Sequence, residues 1–207
     1  MSDPNFHIPT PRLFHIPPMP PPTTPTATSP LPLLHNPASI KHNPSGPTAV
    51  PDREAARSFI TTASERLART GYGRYLVSLR PSPSSPFSPE NQELIGVVTL
   101  QLQRYPSSPG PLIPDIGFNF LPQYHGKGYA KEAAQALMEW YTREKGVKKF
   151  AALTDETNGE AKKLLGKLGF REWGERVVRG VSGEGEEERL SVWTRGVEEG
   201  ELEGLRL

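Results

Sequence analysis

Gln123-Tyr124-His125-Gly126-Lys127-Gly128-Tyr129-Ala130 separates two differently patterned stretches of the chain. Before it, Asp115 to Leu121 is a short apolar run with Pro114 and Pro122 as boundaries, which reads as a strand. After it, Ala133, Ala134, Leu137, Trp140 and Tyr141 recur at helical spacing up to Gly146, which reads as an amphipathic helix. Gly126 and Gly128 therefore fall at a strand-to-helix turn. Glycine adopts positive φ readily and has no Cβ, so such a turn can aim several backbone N–H groups at one oxyanion-rich ligand. The unpaired amides and the positive dipole end of the following helix favour a phosphate or pyrophosphate at the same place.

The rest of the chain reads outward from that turn. Ala56, Phe59, Ile60, Ala63 and Leu67 mark a helix over roughly 52–69, with Gly71 as its stop. Tyr75, Val77 and Leu79 alternate as a strand, and Leu94 to Leu102 reads as another. Between them, Pro81 to Pro89 reads as a long, mobile hairpin loop. Past the helix that follows the glycines, Phe150 to Leu153 is a short buried strand. Ala161, Leu164, Leu165 and Leu168 give the face of a last helix, with Gly169 just beyond it. Glu172 to Val178 and Leu190 to Thr194 are strand-like arms around the acidic turn Glu184 to Glu188, and Arg12 to Ile16 can supply one more strand at the start.

Two motifs in this order, QxxGxG at Gln123 to Gly128 and NxxAxxLLxKLGF at Asn158 to Phe170, closely resemble the GNAT superfamily of N-acetyltransferases. Thr10-Pro11-Arg12-Leu13 is similar to the opening strand of the branch that includes ribosomal-protein alanine N-acetyltransferases, and Leu33-Leu34-His35-Asn36-Pro37 to that branch's first helical segment and loop. The resemblance implies an α/β acyl-CoA N-acyltransferase fold, with a mixed, mainly antiparallel central sheet flanked by helices. It covers residues 10–196, leaving 1–9 as a flexible leader and 197–207 as an acidic tail. On this view Pro17 to Pro32 is a loop of the domain, although its proline and threonine clusters also fit a linker.

Composition limits the alternatives. A net charge of +1, from 24 basic and 23 acidic residues, leaves no electrostatic footprint for nucleic acid. There is no cysteine, so disulfides, zinc–thiolate sites and thiol nucleophiles are excluded. No metal, membrane span or secretory leader is indicated, and a soluble cytoplasmic protein is the expectation. Fifteen of the 24 prolines precede Arg53 and none follows Pro122, so the first fifty residues read as mostly irregular. Oligomeric state is not legible.

The resemblance further implies acetyl-CoA as acyl donor and a primary amine, on a protein N-terminus or a small molecule, as acceptor. The amine would attack the thioester directly, through a tetrahedral intermediate. Amides from Tyr124 through Ala130 would then hold the pyrophosphate, with Gln123 opening the motif. Lys127 would be either a supplementary cation or a solvent-facing side chain, and His125 a packing or cofactor contact. The strand of Phe118, Asn119, Phe120 and Leu121 would offer free backbone groups to the pantetheine arm, with at least one of the phenylalanines packing in the core. Asn158 would bond the pantetheine, cap its helix, or both. Asp115 is the first candidate for a water-mediated base, with an end-of-strand ion pair as the bland reading; Glu132 and Glu93 rank below it. The family's usual tyrosine general acid falls at Leu165. That departure leaves a non-catalytic acyl-CoA-binding protein as the alternative. A dinucleotide-binding domain is disfavoured, since no acidic residue stands at the ribose-binding distance from the glycines.

Overall fold

The computed structural model describes residues 6–17, 31–42, 46–88, 92–105 and 107–207. Most of the Pro17 to Pro32 segment lies outside them. The strands are β1 (Ile8–Pro9), β2 (Leu13–Ile16), β3 (Gly73–Leu79), β4 (Leu94–Gln101), β5 (Asp115–Phe120), β6 (Phe150–Thr154), β7 (Arg171–Arg179) and β8 (Glu187–Arg195). The helices are α1 (Leu31–Leu34), α2 (Pro37–His42), α3 (Gly46–Ala49), α4 (Arg53–Thr70), α5 (Tyr129–Lys145) and α6 (Gly159–Lys167). The strands form one sheet in the order β1-β2-β3-β4-β5-β6-β8-β7. β5 and β6 run parallel, whereas β1/β2, β2/β3, β6/β8 and β7/β8 pair antiparallel. Among the described residues, no helix is long and apolar enough to cross a membrane.

The chain divides into two compact units. The first comprises residues up to Val98 together with Phe118–Leu137. Its α4 is capped at both ends: Asp52 Oδ1 accepts from the Ala55 amide at 2.9 Å, and Gly71, the expected stop, at φ 72°, closes the other end with its N–H on Leu67 O. Its buried residues include Leu13, Val77, Ile95 and Val98 of the strands and Ala133, Ala134 and Leu137 of α5. The expected leader overlaps β1, whose Ile8 is buried opposite His15. The loop after β3, expected to be mobile, is pinned where Phe87 stacks on His7 at 4.4 Å and meets Phe14 edge-on.

The second unit comprises Thr99–Gly117 and Met138–Leu207. Its apolar cluster joins Ile113 and Ala151 to Val178, Val181, Leu190 and Val192. Val197, Leu202 and Leu207 belong to the same cluster, so the stretch expected as an acidic tail is a packed closing segment. Its acids alternate with leucines, and two short 3₁₀ turns, Glu199–Glu201 and Glu203–Leu205, put the leucines inward. Along α5 the buried stripe is completed by Met138 and Tyr141, while Trp140 is only half-buried.

One buried polar residue gives the first unit a pH dependence. His15 is fully buried, with Nδ1 3.0 Å from Ile8 O and Nε2 3.0 Å from Ala133 O. A neutral imidazole has one N–H and can donate to only one of these carbonyls. Burial nonetheless pushes its pKa below 6.5, against the carbonyls and the Glu132 charge, which raise it. The unfolded chain then takes up this proton before the folded one does. Stability from the neutral ring is present above about pH 6.5 and is lost as pH falls below it, by at most ~1.4 kcal/mol per pH unit. Thermal midpoints measured between pH 7.5 and 5 should fall with acid, and His15→Gln should flatten that slope.

Candidate active site

The end of β5 and the start of α5 belong to the first unit and are joined by a turn whose shape follows from its residues. Pro122 opens a 3₁₀ turn over Pro122–Tyr124, since its ring fixes φ and it has no N–H to satisfy. The Tyr124 and His125 amides donate to Leu121 O at 2.9 Å and Pro122 O at 3.1 Å. Gly126 and Gly128 then take φ of 73° and 81°, in the left-handed region. The next bond runs from the Glu132 amide to Gly128 O at 3.1 Å. Between these bonds, the amides of Gly126 through Lys131 have no acceptor among the described residues. Of the amides expected to act together over Tyr124 to Ala130, the first two are spent on the 3₁₀ turn, and those without an acceptor among the described residues begin at Gly126. A Cβ on Gly126 would meet nothing within 4 Å, so the space beside it is open.

The side chains around this turn are largely engaged. His125 Nε2 bonds Phe120 O at 2.8 Å and ties the loop back to its strand. Tyr124 donates its hydroxyl to Glu93 Oε1 at 2.6 Å, which pushes the phenol pKa up and occupies Glu93. Lys127 is exposed, its Nζ 5.4 Å from the centre of the Tyr124 ring. Gln123 is likewise exposed. Glu132 is held by Thr10 and Arg12, so neither secondary base candidate is free.

On β5, Phe120 is the phenylalanine that packs in the core: its ring lies where a Cβ on Gly96 would come within 2.5 Å. The Leu121 amide is used by Ile95 O at 2.9 Å, while Phe118 is half-buried. The Asn119 side chain is committed to the fold. Its Nδ2 donates to Leu33 O at 2.9 Å and its Oδ1 accepts from Ser39 Oγ at 2.8 Å, fastening α1 and α2 to the strand. Only its backbone is left to meet a ligand. Sequence reading missed Ser39, and no motif flags it.

The remaining candidates belong to the second unit. Asn158 caps α6, accepting from the Ala161 amide at 3.1 Å. Leu165 is fully buried. Asp115 is 5% exposed and its Oδ1 accepts from the Arg104 guanidinium, which also donates to Val181 O at 3.1 Å. Its carboxylate is the acceptor of a sequestered ion pair, as the bland reading had it. No group of metal-ligating side chains occurs among the described residues.

Residues 22–171 match the acetyltransferase (GNAT) domain family. An uncharacterized N-acetyltransferase of Bacillus subtilis, YnaD, is 37% identical over 60 residues, which are 29% of this chain and 35% of that protein. The chain therefore aligns with about a third of the curated relative it matches. Among solved structures, an acetyltransferase from Agrobacterium tumefaciens superposes with a TM-score of 0.62 at 17% identity, over 94% of this chain and 95% of its own. RimL, a ribosomal alpha-N-protein acetyltransferase in complex with coenzyme A, gives 0.64 at 17% identity over 92% and 97%. At these identities the likeness is one of fold.

Proposed function

The chain belongs to the GNAT acetyltransferase family, and we propose on that premise that it transfers an acetyl group from acetyl-CoA to a primary amine, on a peptide or a small molecule. The observation that carries this reading is the run of amides from Gly126 into the first turn of α5 at Lys131 that have no acceptor among the described residues. A pyrophosphate offers many acceptor oxygens and two or more charges, which fits several convergent N–H donors and a helix dipole without a metal. In the proposal these amides hold the pyrophosphate, and the backbone of Phe118 to Phe120 lines the pantetheine arm. A cytoplasmic setting belongs to the same proposal.

The chemistry asks the chain for three things: a route for the amine proton, donors for the developing oxyanion, and a proton for the departing thiolate. We assign the second to a β5 amide near Phe118 to Phe120. The first and third are assigned to water, because Asp115, Glu132 and Glu93 are paired and Leu165 has no proton to give. Leu165 is also the observation behind a second reading, an acyl-CoA-binding protein without turnover.

One pair of measurements separates these readings. Acetyl-CoA at about a hundred times its Kd should stabilise the protein by ~2.7 kcal/mol against thermal unfolding, where NAD and ATP should not. Thiol release over a panel of peptide and small amines should then be steady with at least one of them. A thermal shift with no release from any amine supports the binding protein, and no shift at all sinks both readings.

A further inference from the structure

Arg12 lies far from the glycine turn in sequence, yet in the first unit it is bonded to that turn. Its Nη1 donates to Lys127 O at 3.1 Å, and its guanidinium carbon stands 4.7 Å from the centre of the Tyr129 ring. Its Nη2 is 3.5 Å from where a Cβ on Gly128 would be. Glu132, in the first turn of α5, holds it there. Oε2 receives Arg12 Nε at 2.6 Å and lies 2.6 Å from Nη2. Oε1 receives the Arg12 amide at 3.1 Å and the Thr10 hydroxyl at 2.6 Å. Every lone-pair direction of this carboxylate is thus turned to the β1–β2 hairpin.

The charges make that arrangement consequential. A carboxylate in the first turn suits the helix dipole, but at the mouth of an anion cradle it repels the anion. A guanidinium bound through a two-nitrogen fork cancels the charge and, with its remaining nitrogen, fixes the Lys127 carbonyl so that the neighbouring amides point the other way. We propose that Arg12 is a positioning residue for the donor's pyrophosphate: it neutralises Glu132 and holds the Gly126 to Gly128 turn in its amide-out form. The role rests on the acetyl-CoA reading above. It predicts a defect specific to the phosphate-bearing part of the donor, which a general weakening of the fold does not produce.

The test compares acetyl-CoA with acetyl-pantetheine, which has the thioester and no pyrophosphate, by Kd and by steady-state kinetics. Arg12→Ala should raise the acetyl-CoA Kd and KM about tenfold, the scale of one local charge, with kcat nearly unchanged and the acetyl-pantetheine KM within about twofold. Arg12→Ala/Glu132→Gln should recover most of the acetyl-CoA affinity, because the stranded carboxylate is gone. If the alanine variant does not fold, Arg12→Lys keeps the charge and loses the fork, and should raise the acetyl-CoA KM about threefold with the same donor selectivity. Equal losses for both donors, or an unchanged acetyl-CoA KM, overturn the role while leaving the parent reading intact. A wild-type protein that binds no acetyl-CoA overturns both.

Discussion

Replacing Gly126 and Gly128 together by valine should abolish the thermal stabilisation that acetyl-CoA gives the wild type. At φ of 73° and 81° both residues sit where a side chain crowds the following carbonyl, at roughly 1–2 kcal/mol per non-glycine residue and more for a β-branched one. No packed neighbour compensates: a Cβ on Gly126 meets open space, and one on Gly128 approaches only the flexible end of Arg12. The variant therefore has two ways to relax, and both destroy the cradle. It can keep the turn and push isopropyl groups into the space beside it, or it can flip to negative φ and turn the amides away. The protein itself should stay folded, since the turn is exposed and few core contacts depend on it. Thermal unfolding with and without acetyl-CoA reads the difference between a ligand shift and none. A double variant that keeps the full shift would show that the glycines are a turn and nothing more.

Why the turn could be read from sequence, and the bonding around it could not, is a matter of distance along the chain. A strand bounded by prolines, two glycines and a helical stripe are local signals, and β5, the left-handed glycines and α5 follow from them. The Gly71 stop of α4 was legible for the same reason. The loss of the Tyr124 and His125 amides to a 3₁₀ turn has a local cause too, Pro122, but its consequence appears only when each N–H is followed to its acceptor. Arg12 and Glu132 are 120 positions apart and Leu33 and Asn119 are 86 apart, and no periodicity connects either pair. The closing segment misled for a different reason. Four acids among its residues 197–207 lower the average hydropathy, while Val197, Leu202 and Leu207 carry the packing.

Asp115 is where the resemblance and the observed bonding part most sharply, and Asp115→Asn separates them. As a general base, the carboxylate would be worth ~10²-fold or more in rate, and the amide would remove that with the fold intact. As half of an ion pair, it has the opposite signature. The substitution leaves the Arg104 guanidinium in a largely buried place, 21% exposed, where its Nε already has no hydrogen-bond partner among the described residues. Removing one partner of a buried pair costs about 3–5 kcal/mol, and Arg104's residual contact with water puts the expected loss near the lower figure. At ~2–4 °C per kcal/mol for a chain of this size, the thermal midpoint should drop by roughly 6–12 °C. The kcat/KM of the remaining folded protein should stay within about threefold at temperatures well below that midpoint. Arg104→Met should destabilise by a similar route, and pairing it with Asp115→Asn should cost less than the sum, because each single variant strands a partner that the double one does not. A hundredfold fall in kcat/KM with an unmoved midpoint would return Asp115 to the chemistry and require Arg104 to release it when the amine arrives.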